Sequence, residues 1–259
     1  MNGTLTALLL TLIAGAATGI GGAMVLFKKK ISSNFLAGAL GLSAGVMIFI
    51  SLAELFPEAQ AEIAAIGSIK YGEVFTLLAF FGGMGIIMLI DFLVPEYENP
   101  HEASELSLGG SNEKTLHRLG IMSALAIAIH NFPEGIATFT AGLNDPTLGL
   151  AIAAAVAIHN IPEGIAVSVP IFYATESRKK AFLWSLLSGF AEPLGALVAW
   201  LLLAPLMTPT LLGCVLTGVA GIMVYISFDE LLPMAERWGH HHLSIYGVAT
   251  GMLIMALVL

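Results

Sequence analysis

Of 259 residues, 57% are hydrophobic and only 11% are charged, against about 25% charged in an ordinary soluble domain. With a mean hydropathy of +0.89, this composition describes one integral membrane domain. A formal net charge of −8 offers nothing to a nucleic acid, and the single Cys214 excludes both a disulfide framework and a sulfur-rich metal site.

In chain order, eight apolar segments approach the roughly 20 residues needed to cross a bilayer. Helices are predicted at 4–26, 34–56, 72–94, 119–141, 147–172, 181–203, 210–232 and 243–259. The first has neither a basic region before it nor a small-residue cleavage site, and reads as a retained helix. Lys28, Lys29, Lys30, Lys114, Arg118, Arg178, Lys179, Lys180 and Arg237 all fall in loops on one side, and Lys70 alone on the other. By the positive-inside rule the loops after helices 1, 3, 5 and 7 are cytoplasmic, and both termini lie outside. The cytoplasmic loop 95–118, acidic and containing Gly and Ser, reads as a solvated linker.

Two copies of one phrase occupy helices 4 and 5. Residues 126–137, centred on His130-Asn131-Phe132-Pro133-Glu134, recur at 155–166, centred on His159-Asn160-Ile161-Pro162-Glu163, with ten of twelve positions identical. On a helix, i, i+1 and i+4 bring the His, Asn and Glu of each copy onto neighbouring parts of one face. Pro133 and Pro162 lack an N–H, which frees the carbonyls of Ile129 and Ile158 and bends the helix there. Such polar groups in a membrane are costly and normally imply a task. A lone intramembrane His is ordinarily an interhelical hydrogen bond; two matched sets facing each other across a short connection form one site.

A second repeat is longer. Residues 44–59 in helix 2 match residues 220–235 in helix 7 at nine of sixteen positions. Fainter echoes relate Gly15, Ala17 and Gly21 to Gly189, Ala191 and Gly195, and Tyr71-Gly72 to Tyr246-Gly247. An odd number of helices per repeat turns the second copy upside down, as in secondary transporters that bind at the midplane. The expected fold is therefore all-α, with eight transmembrane helices in a 3+2+3 inverted repeat. Glu54 then falls toward the outer mouth, and Glu230 with Asp229 toward the inner one. Glu192-Pro193 breaks the symmetry, because its counterpart is Thr18.

The paired His-Asn-x-Pro-Glu-Gly motifs, Glu54-Leu55-Phe56-Pro57-Glu58-Ala59 and Glu192-Pro193 resemble the Zrt/Irt-like (ZIP) divalent metal transporters, most closely the bacterial ZupT-like branch of zinc-uptake proteins. The resemblance covers essentially the whole chain. It implies eight helices with outside termini in the inner or plasma membrane, a metal path between helices 2, 4, 5, 6 and 7, and often a homodimer. Carried over by position, the central ligands are His130, Asn131, Glu134, His159, Asn160, Glu163 and Glu192. Glu54 stands where the family places a helix 2 ligand, often His, and Glu230 matches an acidic position near the family's exit route. The loop after helix 3, often long and His-rich in the family, here holds only His101 and His117.

Imidazole with carboxylate and amide oxygen suits Zn²⁺, Fe²⁺, Mn²⁺ and Cd²⁺, whereas Cu(I) favours sulfur and Ca²⁺ or Mg²⁺ oxygen alone. Zinc is the first choice, as transported cargo rather than cofactor, and two facing Glu can bridge two ions. A selective cation channel is the first alternative. An intramembrane zinc metalloenzyme is the second, although the chain has no His-Glu-x-x-His and no nucleophile beside the His pair. His240-His241-His242 is open between metal capture and plain polar loop.

Overall fold

In the computed structural model, residues 3–27, 32–66, 69–93, 113–238 and 241–258 are described; of the predicted loop 95–118, residues 95–112 lie outside them, as do Lys28–Lys30 and His240, whereas residues 113–118 are helical and not loop, because the helix that follows starts at Glu113, ahead of its apolar stretch. Among the described residues there is no strand, and the chain forms eight helical rods. These are α1 (Gly3–Phe27), α2 (Ser33–Ile50, then a π turn at Ser51–Leu55 and Phe56–Ile66), α3 (Ile69–Leu93) and α4 (Glu113–Asn144). They continue with α5 (Pro146–Thr175), α6 (Arg178–Gly189, Ala191–Val198, a π turn at Ala199–Leu203 and Ala204–Leu206), α7 (Pro209–Ile226, a π turn at Ser227–Leu231, Leu232–Trp238) and α8 (His241–Val258). Seven are long and apolar enough to cross a membrane; the other, α4, has 32 residues.

Polar side chains set the helix starts. Ser32, Asp145, Ser177 and Thr208 accept hydrogen bonds from the backbone N–H of Phe35, Thr147, Lys180 and Leu211, each satisfying a donor that the first turn leaves free. Pro146 and Pro209, inside the first turn, have no N–H to lose there. Asp145 alone separates α4 from α5, so the two pack as an antiparallel hairpin, with Gly142 against Gly149.

Pro57 and Pro233 do not stop α2 and α7 near 56 and 232, where the apolar pattern predicts their ends. Each follows a π turn in which one N–H reaches back five residues: Phe56 to Ser51 and Leu232 to Ser227. The wider turn takes up the missing proline donor, and the helix runs on to Ile66 and Trp238. A third π turn, closed from Ala204 to Ala199, precedes Pro205 at the same spacing.

The inverted repeat is visible in the backbone contacts. A Cβ on Gly21 of α1 meets the carbonyl of Ile161 in α5, and one on its counterpart Gly195 of α6 meets the carbonyl of Phe132 in α4. In the same way Gly164 lies against Thr18, and Gly135 against Glu192. Helices α1 and α6 pair with each other antiparallel through Gly15 and Gly189. Small residues let these backbones approach closely, the usual basis of helix packing in lipid. Helices α1, α4, α5 and α6 form one group, α2 packs on α8 and α3 on α7, and contacts of α2 with α5 and of α4 with α7 join the two layers.

One predicted correspondence is corrected. Gly45 meets the carbonyl of Val248 while its counterpart Gly221 meets that of Phe80; Gly251 meets Leu42 while Gly83 meets Gly218. Helices α3 and α8 are therefore equivalent through Phe80 and Val248, about two helical turns away from the register that aligns Tyr71-Gly72 with Tyr246-Gly247. The Tyr-Gly match reflects two similar helix starts rather than equivalent positions.

Candidate metal site

The α4–α5 hairpin fixes the two motifs at matching depth, because a one-residue turn leaves no freedom to slide. Each polar face points inward. His130, Asn131, Glu134, His159, Asn160, Glu163 and Glu192 are all at least 98% buried. Glu192 enters from α6 just after that helix breaks at Phe190. Pro193 accounts for the break, since it offers no N–H to the carbonyl of Gly189.

Glu134 lies between the two imidazoles. Its Oε2 is 3.1 Å from His159 Nε2, and its Oε1 is 3.3 Å from His130 Nε2. His130 Nε2 is also 3.4 Å from Glu163 Oε1, and the two rings are 6.5 Å apart. One donor atom each of His130, His159 and Glu163 fall within 4.8 Å of one another, a spacing that one ion can span.

The asparagines tie this cluster to the helices around it. Asn131 donates to the Ser188 carbonyl at 3.3 Å, and Asn160 to that of Ala14 at 2.9 Å. Ala14 and Ser188 are counterparts in the repeat, so the two anchors are one contact made twice. Asn160 also donates to Oε1 of Glu192, an interaction whose mirror position holds Thr18. The amide nitrogens face the scaffold, which leaves Oδ1 of both asparagines turned elsewhere.

Within the protein, eight buried atoms here make no hydrogen bond: both nitrogens of His130, Nδ1 of His159, Oδ1 of Asn131 and Asn160, Oε1 of Glu134, Oε2 of Glu163 and Oε2 of Glu192. His130 Nε2 stands near two carboxylates, but at angles that form no hydrogen bond. Natural proteins leave few buried polar groups unsatisfied. Imidazole nitrogen with carboxylate and amide oxygen concentrated at one place matches what a borderline divalent metal needs.

The structure thus brings together seven of the nine residues singled out by sequence. Glu54 and Glu230 are half-buried in the π turns of α2 and α7, outside the three-residue cluster. Sequence reasoning missed Ser43 of α2, whose hydroxyl donates to Glu163 Oε1 at 3.2 Å and lies 3.4 Å from the His159 carbonyl. Its counterpart in the repeat is Val219. The asymmetry that singles out Glu192 against Thr18 would have found it too. At the far end of α7, His241 Nδ1 contacts Glu236 Oε1 at 2.6 Å, and both are exposed.

Comparison with known proteins is consistent along the chain. A family model described as ZIP zinc transporter matches residues 96–259. The zinc transporter ZupT of Akkermansia muciniphila is 56% identical, with 98% of this chain and 97% of that protein aligned. The zinc transporter ZupT of Streptococcus mutans is 54% identical over 98% and 96% of the two chains. That of Clostridium perfringens is 52% identical over 100% and 96%.

Proposed function

The chain belongs to the ZIP zinc transporter family, a family of multi-pass membrane transporters and not of enzymes, and on that premise we propose that it carries divalent transition-metal cations into the cytoplasm, zinc first among them. One observation carries this reading: two repeated His-Asn-x-Pro-Glu motifs and Glu192 converge in the protein interior with eight buried nitrogen and oxygen atoms that make no hydrogen bond within the protein. Identity of 54–56% over nearly the whole of this chain and of relatives named zinc transporters supports zinc as the cargo.

In this reading His130, His159, Glu134 and Glu163 hold the ion, with Oδ1 of Asn131 and Asn160 and the free oxygen of Glu192 as further donors. Seven donor residues exceed the four of a closed structural zinc site, and Glu134, already between both imidazoles, is placed to bridge two ions. Mixed, surplus ligands let an ion be passed on rather than trapped. The same set accepts Fe²⁺, Mn²⁺ and Cd²⁺. Glu54 serves the outer mouth and Glu230 the inner one, in the orientation that the nine cations predicted on the cytoplasmic side imply, with both termini on the outer side of the inner membrane.

The test is metal flux into sealed vesicles containing only the purified protein. Saturable zinc uptake, competed by Cd²⁺, Fe²⁺ and Mn²⁺ but not by Mg²⁺ or Ca²⁺, is expected. Flux that rises linearly with concentration, or no flux of any divalent metal, contradicts the proposal.

A further inference from the structure

Helix α4 has a second face. At 100° per residue His130, Asn131 and Glu134 share one side, while Ala128, Ile129, Phe132 and Pro133 fall on the opposite one. Behind that back face is an open-sided cavity of about 380 Å³, lined also by Ala191 of α6, Ile222 of α7 and the isoleucines of α3. Every side chain lining it is apolar. Its rim includes Ile86 and Ile90, which are 58% and 38% exposed and lie beside the exposed Met88, Leu89 and Phe92 of α3. In a chain that crosses the bilayer, this mouth opens sideways into hydrocarbon.

The repeat shows that the cavity is not demanded by the fold. The counterparts of Ile222 and Pro133 are Val46 and Pro162, which are buried where the first two are half-buried. Helix α5 packs directly on α2, so the mirror position is filled by the protein itself. Space for something else is found on the α3–α4–α7 side.

We propose that this cavity is a lipid site, taken by the acyl chain of a bilayer phospholipid that enters between Ile86 and Ile90 and lies against Phe132 and Pro133. Water is a poor occupant, because an apolar cavity of roughly 150 Å³ already stays dry and takes up benzene instead. An unfilled space of this size forfeits the dispersion contacts of its walls. A helix of a second copy is too wide for a slot of this volume and would cover the mouth without entering. A linear alkyl chain matches the wholly apolar lining, and the bilayer supplies it at the mouth. The site depends on membrane placement and not on the metal reading. Its consequence reaches the metal motif all the same, because the chain packs against the back of the helix whose front carries His130 and Glu134.

Photo-cross-linking tests this directly. The protein is reconstituted in phosphatidylcholine vesicles doped with a phosphatidylcholine that carries a mid-chain diazirine, irradiated, and the adducts are mapped by peptide mass spectrometry. Adducts are expected on residues 128–133 of α4 or on Ile222, in addition to the outward-facing Leu77, Leu78 and Phe81. Ala128→Phe and, independently, Ile222→Phe fill the cavity and should abolish the inner adducts while leaving the outer ones. Wild-type adducts confined to outward-facing residues overturn the proposal, and so do inner adducts that survive both filling variants in protein that remains monodisperse.

Discussion

The hydroxyl of Ser43 in α2 lies 3.2 Å from Oε1 of Glu163 in α5, so one of the site's carboxylates is held by a helix of the other layer. Losing a hydrogen bond to a charged group costs on the order of 1.5–3 kcal/mol. Ser43→Ala is therefore expected to lower the melting temperature of the purified protein by several degrees. The same measurement on Val219→Ala, at the mirror position, reports only lost packing. Equal melting of Ser43→Ala and wild type would show that the contact contributes nothing.

Close backbone approach gives a second prediction. A Cβ at Gly135 runs into the Glu192 carbonyl and one at Gly164 into that of Thr18, whereas Gly82 and Gly85 of α3 face open space. Overpacking typically costs about 1–3 kcal/mol, and more where the obstacle is backbone. Gly135→Ala and Gly164→Ala should sharply reduce the amount of folded protein in the membrane. Gly82→Ala and Gly85→Ala should not, because Ala is the better helix former by about 1 kcal/mol. Fluorescence-detected size exclusion of the four variants decides between this pattern and a uniform response.

Much of this was legible in the chain itself, because both repeats are near copies and helical spacing alone aims His130, Glu134, His159 and Glu163 at a common interior. What escaped has physical reasons. Pro57 and Pro233 look like stops, since a proline's missing donor ordinarily ends a helix, and nothing local announces that a π turn at Ser51 or Ser227 will absorb it. The register of α3 against α8 was misread because lipid-facing helices need only be apolar, so Tyr71-Gly72 could match Tyr246-Gly247 without equivalence. Ser43 is one hydroxyl in a stretch of small residues, marked in the sequence only by its mismatch with Val219 in the repeat, and its contact with Glu163 is what gives that mismatch meaning.

The mouths of the path are tested by kinetics. Glu54 and Glu230 sit in matching π turns of oppositely directed helices, so their loss should act at different steps. Glu54→Gln is expected to raise the apparent KM, because fewer ions are drawn to the outer mouth. Glu230→Gln should change mainly the maximal rate, by altering how metal leaves. Identical kinetic changes, after normalising to surface expression, would remove the assignment of loading and release.

Orientation is read by thiol labelling. In a Cys214→Ala background, a cysteine placed by Asn144→Cys or Thr208→Cys should react with an impermeant reagent in intact cells, and one placed by Ser177→Cys should not. Asn144 ends α4, Thr208 lies between α6 and α7, and Ser177 lies between α5 and α6, so an eight-helix path puts the first two on one side and the third on the other. The reverse pattern would invert the topology and exchange the roles of Glu54 and Glu230.

The central claim is that the two converged motifs hold the ion in transit, and Glu163→Ala tests it most directly. The change removes the carboxylate next to His130 without cutting backbone and leaves Ser43 exchanging one partner for another. Zinc uptake by vesicles containing this variant, at matched and monodisperse protein levels, should fall to that of protein-free vesicles. Wild-type uptake by the same preparation would contradict the account of the site.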